Sequence, residues 1–186
     1  MRSHVDDRLR DGSPVFSRDC PEFNVATPGG NRIVVLVNHL KSKGYGSPAE
    51  SNKRRRAQAA RVAAIYEELI ADGEKYVVVV GDLNDTPDSA PLKPLLSETN
   101  LKDAFENPAF DDDGHPGTYG SCLAANKIDY ILLSPELFGR VTAGGVFRQG
   151  MWPGVRPTKW EAYSEITRKQ EAASDHAAVW VDLDLE

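Results

Sequence analysis

The sequence predicts an α/β layered fold. Three observations carry that prediction. Two continuous apolar, β-branched runs occur at 33–37 and 76–80, a capped amphipathic helix lies between them, and a third apolar run follows at 128–133. Apolar runs without polar alternation read as strands covered on both faces. Strand, helix, strand in that order is a βαβ unit, which belongs to layered α/β architectures.

Residues 1–13 are mostly charged and polar and read as an N-terminal segment ahead of a domain at 14–186. Residues 14–20 and 22–26 read as a short strand or two. Pro28, Gly29, Gly30 and Asn31 form a hairpin turn signal leading into the first apolar run. Ser47, Pro48 and Glu50 make a capping box with proline at the first helical position. Val62, Ile65, Tyr66 and Leu69 then fall on one stripe, and Gly73 is the stop.

Residues 88–96 suggest a short helix, and 107–120 a loop carrying Asp111, Asp112, Asp113 and Gly114. That loop lacks the spacing and the closing Glu of a calcium-binding hand and reads as solvated. Residues 141–147 are expected to pair with 128–133. Residues 151–173 are poorly periodic, and a loop of that length is usually functional or mobile. Trp152, Trp160 and Tyr163 within it either stack on a substrate or anchor the loop. Val179, Val181, Leu183 and Leu185 alternate with polar or amphipathic residues in a last, half-buried strand.

The chain has 186 residues, the size of one domain (roughly 100–200 residues). Its 40% hydrophobic and 27% charged residues exclude collagen-like, disordered and membrane-embedded classes. No apolar run approaches the ~18 residues of a membrane span, and the polar start shows no signal peptide. A net charge of −6 excludes a non-specific nucleic-acid coat protein. An acidic chain still acts on phosphates when a metal ion supplies local positive charge. Cys20 and Cys122 form no disulfide framework. The basic run Lys53, Arg54, Arg55 and Arg56, with Arg61, reads as a solvated helix face. His4 and His115 show no companions.

Polar groups cluster where apolar runs begin or end: Asn38–His39, Asp82 and Asn84, Asp129, and Asp175–His176. Strand ends are where α/β sites collect. Carboxylates with histidines and no cysteine point to hard cations and metal-assisted phosphoryl chemistry. The sequences Asn38-His39-Leu40-Lys41-Ser42, Gly81-Asp82-Leu83-Asn84, Lys127-Ile128-Asp129-Tyr130-Ile131 and Ser174-Asp175-His176 occur in that order. Together they resemble the endonuclease/exonuclease/phosphatase superfamily with its deoxyribonuclease I-like fold, and they match the C-terminal half of its domain.

The resemblance implies a four-layer α/β sandwich of which this chain supplies one sheet and its covering helix. It implies that Asp82 orients or deprotonates the attacking water. Asn84 holds phosphate or water, and Lys41 joins it as a substrate contact. Asp175 is implied as the metal carboxylate, with Mg2+ the expected ion and Mn2+ or Ca2+ the alternatives. His176 is implied as a catalytic histidine oriented by Asp129, and His39 as the acid for the leaving oxygen. The implied substrate is a phosphate ester, with DNA, RNA, sphingomyelin and phosphoinositides all cleaved within the superfamily. A nuclease is the first choice, a phosphatase or sphingomyelinase-type member is an alternative, and a non-catalytic module of the same fold is the competing class. The superfamily's early Asn and Glu motifs do not occur here, so a partner is expected: an N-terminal half or a second copy that completes the sandwich.

Overall fold

The computed structural model describes residues 1–44, 46–155 and 158–186. In chain order the elements are β1 (Glu22–Ala26), β2 (Arg32–His39), α1 (Pro48–Ala71), β3 (Val77–Asp82), α2 (Lys93–Leu96) and β4 (Lys102–Asp103). There follow β5 (Phe110–Asp111), β6 (Asp129–Leu133), α3 (Pro135–Phe138), β7 (Val141–Phe147) and β8 (Ala178–Leu183). A five-stranded sheet runs β1–β2–β3–β6–β4, and a three-stranded sheet runs β5–β7–β8.

The βαβ unit forms as the pattern predicts. β2 and β3 are parallel, with Val34 against Val77 and His39 against Asp82. Between them α1 starts at the capping box: Ser47 Oγ accepts from the Glu50 amide, and the Glu50 carboxylate accepts from the Ser47 amide. Gly73, at φ 91°, takes the left-handed turn that ends it. Val62, Ile65, Tyr66 and Leu69 pack on Val34, Leu36, Val77, Val79 and Leu132 to form the main core. Each fully buried aliphatic side chain there contributes about 1.5–3 kcal/mol.

The opposite face of the large sheet carries Ile33, Val78, Val80, Ile131 and Leu133, which pack against Val141, Val181 and Leu183 of the small sheet. The chain therefore supplies strands to two facing sheets, more than the single sheet expected. Phe23, Val25 and Val37, toward the β1 end, remain exposed.

Four local expectations change. Residues 14–20 form no strand; Val15 and Phe16 are both buried, so the segment plugs the core instead of alternating across a sheet. Residues 141–147 do not pair with 128–133. After β6, Pro135 opens the helical turn α3, and β7 emerges in the other sheet beside β8. The 107–120 loop contains β5, parallel to β7. Gly144 admits that strand, since a Cβ there would lie 2.6 Å from the Phe110 ring. The helix expected at 88–96 is a 3-10 turn at Ala90–Leu92 followed by α2. Residues 1–13 lie against the body: Arg2 bridges to Glu22, and His4 is buried between the carboxylates of Asp7 and Glu22. Residues 156 and 157, within the long loop 151–173, lie outside the described residues.

Candidate active site

The register of the sheet assembles the site. His39 pairs with Asp82, and Asp82 pairs with Asp129, so three strands end in polar groups side by side. Strand alternation puts these three on the same face as Val37 and Val80, the face that looks toward the small sheet. His176 arrives from the other side, two residues before β8 begins. The site is thus the polar rim of the inter-sheet layer.

Gly81 makes the close approach possible. It sits at φ 126°, and a Cβ there would come within 1.9 Å of the Asn38 carbonyl oxygen. Asn84 follows in the left-handed region at φ 56°, which asparagine enters more readily than most residues. That turn brings its side chain back. Asn84 Nδ2 donates to Asp82 Oδ2 at 2.9 Å and to the Leu40 carbonyl at 3.1 Å, and its amide donates to Asp82 Oδ1 at 2.8 Å. Asn84 therefore orients Asp82 and ties it to the chain just beyond the end of β2, where His39 sits.

On the other wall, His176 Nδ1 lies 2.9 Å from Asp129 Oδ2. Thr118 Oγ1 donates to the same carboxylate oxygen at 2.7 Å. The Thr118 hydroxyl also accepts from the Ile128 and Asp129 amides at 3.2 and 3.1 Å. Asp82, Asp129 and His176 each offer a ligand atom, all within 4.8 Å of one another. Asp175 is outside this group; it is exposed and lines the adjacent cleft.

The electrostatics suit a cation. Burial pushes the Asp82 carboxyl above its ordinary pKa, and Asp129 adds to the rise against the amide hydrogen bond from Asn84. Two acids forced together out of water lack positive charge. Two carboxylates and an imidazole form a donor set that can hold a divalent cation without selecting which one. Burial also holds His39 below the usual histidine range, with Arg18 acting in the same direction. His39 Nε2 lies 3.5 Å from Asp82 Oδ2.

Behind these walls α1 grips both loops. Arg55 is 0% exposed, the exception in a basic run whose Lys53 and Arg56 lie exposed as a solvated face requires. Its Nε and Nη2 reach Asp85 Oδ2 at 2.9 and 2.8 Å, and Nη1 donates to the Lys41 carbonyl. Gln58 Oε1 accepts from the Lys41 amide at 2.8 Å. Lys43 Nζ completes the cluster on Asp85 Oδ1 at 2.5 Å. Lys41 Nζ donates to the Ser42 carbonyl at 3.2 Å. Its side chain borders a separate cleft with Asp11 and Ser17.

A family model described as the Endonuclease/Exonuclease/phosphatase family matches residues 3–176. The chain belongs to that family. Among solved structures, a mannosyl-6-phosphatase of Bacteroides thetaiotaomicron aligns at 21% identity and TM-score 0.58, covering 84% of this chain and 52% of its own. An endonuclease/exonuclease/phosphatase protein of Beutenbergia cavernae aligns at 22% and 0.55, covering 87% and 38%. Sphingomyelinase C of Streptomyces griseocarneus aligns at 18% and 0.50, covering 88% and 53%. These likenesses establish the shared deoxyribonuclease I-like fold. The chain spans about half or less of the length of these structures. No match is found among curated proteins.

Members of the endonuclease/exonuclease/phosphatase family are hydrolases acting on phosphate esters, generally with divalent metals. In this member, Thr118, Arg18 and Gln58 are not singled out by the sequence, and Arg55 reads there only as part of a basic run. A Gly-Thr pair in a loop carries no signal of its own. The one usable clue to Arg55 and Gln58 was their i, i+3 spacing on the helix that joins the two loops. Among the described residues no helix is long and apolar enough to cross a membrane.

Proposed function

We propose that this chain hydrolyses phosphodiesters with the help of a divalent cation, by in-line attack of water at phosphorus, and that its substrates are nucleic acids or their fragments. The observation that supports this reading is the pairing of an oriented acid with an oriented histidine. Asp82 is held by Asn84, His176 is held by Asp129, and the ligand atoms of Asp82, Asp129 and His176 lie within 4.8 Å of each other. Asp82 and Asp129 would hold the cation, with Asp175, beside His176 in sequence, as a further candidate ligand. When bound, the cation would neutralise charge on the phosphoryl oxygens.

Asp82 is the base for the attacking water. Its raised pKa brings it closer to the value a general base needs. His176 donates to the phosphoryl oxygens, and Asp129 keeps its Nδ1 engaged so that Nε2 faces the substrate. His39 delivers a proton to the leaving oxygen. Desolvation and Arg18 disfavour its charged form, and an arriving phosphate anion reverses that balance. Arg18 is exposed beside His39 and is a phosphate contact in this scheme.

The test is hydrolysis of bis-p-nitrophenyl phosphate with Mg2+, Mn2+ or Ca2+ against an EDTA control. Metal-dependent turnover that vanishes in Asp82→Ala and His176→Ala is expected. Undiminished turnover in either variant would refute the assignment. A second reading, a non-catalytic binding module, is favoured by one observation: among the described residues the three-group cluster holds only two carboxylates. In the catalytic reading a further segment or a second copy, seated against exposed Phe23, Val25 and Val37, brings the missing acid. Folded protein without turnover under any metal favours the module.

A further inference from the structure

Beside His176 the protein has a cleft that, Asp175 on its wall apart, the chemistry above does not use. Tyr119 stands against the His176 ring with centroids 4.9 Å apart, and the Gly120 amide donates to the Asp175 carbonyl at 2.9 Å. These two segments make one wall. A cleft of about 400 Å³ opens from it, lined on the other side by Trp152, Lys159 and Lys169. That size suits a small-molecule site, which runs roughly 300–1,000 Å³.

Two features of the lining select a ligand. The first is charge. The chain has 28 acidic residues against 22 lysines and arginines. Yet among the described residues neither Lys159 nor Lys169 meets a carboxylate. Lys159 Nζ reaches only the Ser121 carbonyl, at 3.4 Å, and the nearby acid Glu171 pairs with Arg168. Two ammonium groups against the single carboxylate of Asp175 leave the cleft net positive, which favours an anion over a cationic head group. A neutral sugar would leave both unanswered. The second feature is a flat apolar surface. Trp160 is buried and edge-on to His115, anchoring the loop, whereas Trp152 is half-buried, lines the cleft and has no ring partner among the described residues.

We propose that this cleft binds a nucleotide unit joined to the scissile phosphate, with its base on Trp152 and a second phosphate between Lys159 and Lys169. Base stacking on an aromatic face tolerates any base, and the lysines act as point charges for phosphate. The assignment rests on the phosphodiesterase reading only for the position of the scissile group; binding in the cleft is measurable without turnover.

The experiment is a tryptophan-fluorescence titration with thymidine 3′,5′-bisphosphate, with inorganic phosphate as the single-anion control. The bisphosphate is expected to quench fluorescence and to bind at least tenfold more tightly than phosphate. Lys159→Ala with Lys169→Ala is expected to weaken it at least tenfold, Lys159→Arg with Lys169→Arg to retain it, and Trp152→Phe to remove the quench. Both lysines are exposed, so the variants are expected to fold, and circular dichroism checks that. Equal affinity for phosphate and bisphosphate, or unchanged affinity in the double alanine variant, overturns the cleft. Turnover of bis-p-nitrophenyl phosphate without bisphosphate binding sinks the cleft and spares the catalytic reading. Bisphosphate binding without turnover does the reverse.

Discussion

The hydrogen bond between His176 Nδ1 and Asp129 Oδ2, 2.9 Å long, joins the two sheets at the site. Asp129 begins β6 of the large sheet, and His176 leads into β8 of the small one. The relative placement of the sheets therefore sets the geometry of the histidine. Asp129→Asn keeps the shape but lets the amide present a donor to Nδ1. A loss of about 10²–10⁴ in kcat is expected, the usual worth of a positioned acid–base group. Steady-state kinetics on bis-p-nitrophenyl phosphate, with melting to show an intact fold, reads it out. Thr118→Val removes the hydroxyl that fixes Asp129 and is expected to lower kcat by a smaller factor.

Asp82 gives a stability prediction of opposite sign to its catalytic one. Its folded-state pKa is raised, so the ionised group opposes folding at neutral pH, and that opposition is relieved as pH falls through the raised value. Asp82→Asn should therefore melt no lower than the parent protein in EDTA while losing activity. A divalent cation acts on the same excess charge. At a concentration near 100 times its Kd it stabilises the parent by about 2.7 kcal/mol. Thermal melts with and without Mg2+ should show a rise in Tm for the parent and a much smaller one for Asp82→Asn.

The cluster of Arg55, Asp85 and Lys43 predicts acid sensitivity. Burial opposes ionisation of Asp85, but the hydrogen bond from Lys43 and the Arg55 charge prevail and hold its carboxyl below the ordinary range. A depressed pKa contributes stability that is present above the unfolded-state value, about 3.9. It is lost as pH falls through the folded value. Asp85→Ala leaves the Arg55 charge buried without its partner and should cost about 3–5 kcal/mol at pH 7. In urea melts the difference between the two proteins should narrow as pH falls from about 4, where the unfolded chain takes up the proton, down through the lower folded-state value. A difference independent of pH would remove the ion pair from the account.

Gly81→Ala tests the backbone contact under the site. A methyl group at φ 126° meets the Asn38 carbonyl, so β2 and β3 must separate where His39 and Asp82 are paired. We expect destabilisation of about 2–4 kcal/mol. Chemical denaturation measures it. Turnover in the fraction that remains folded should fall as well, because the two side chains move apart.

Much of the molecule was legible in the chain. The βαβ unit follows from 33–37, the Ser47 cap with its apolar stripe, and 76–80, because period and capping are local properties. The strand-end motifs pointed to His39, Asp82, Asn84, Asp129 and His176, since these polar groups lie where apolar runs begin or end. What the sequence could not show was pairing across distance. β7 follows β6 closely in the chain, yet it joins β8, because α3 carries it into the second layer. Arg55 lies within a basic run on a helix, and only the approach of Asp85 and the Lys41 carbonyl makes its burial favourable. Thr118 touches Asp129 across eleven residues of chain. By itself the sequence determined the local elements and the kinds of chemical groups at their ends. The tertiary structure decided which of those groups meet, because long-range contacts depend on register and layer packing and leave no periodic mark on the residues that make them.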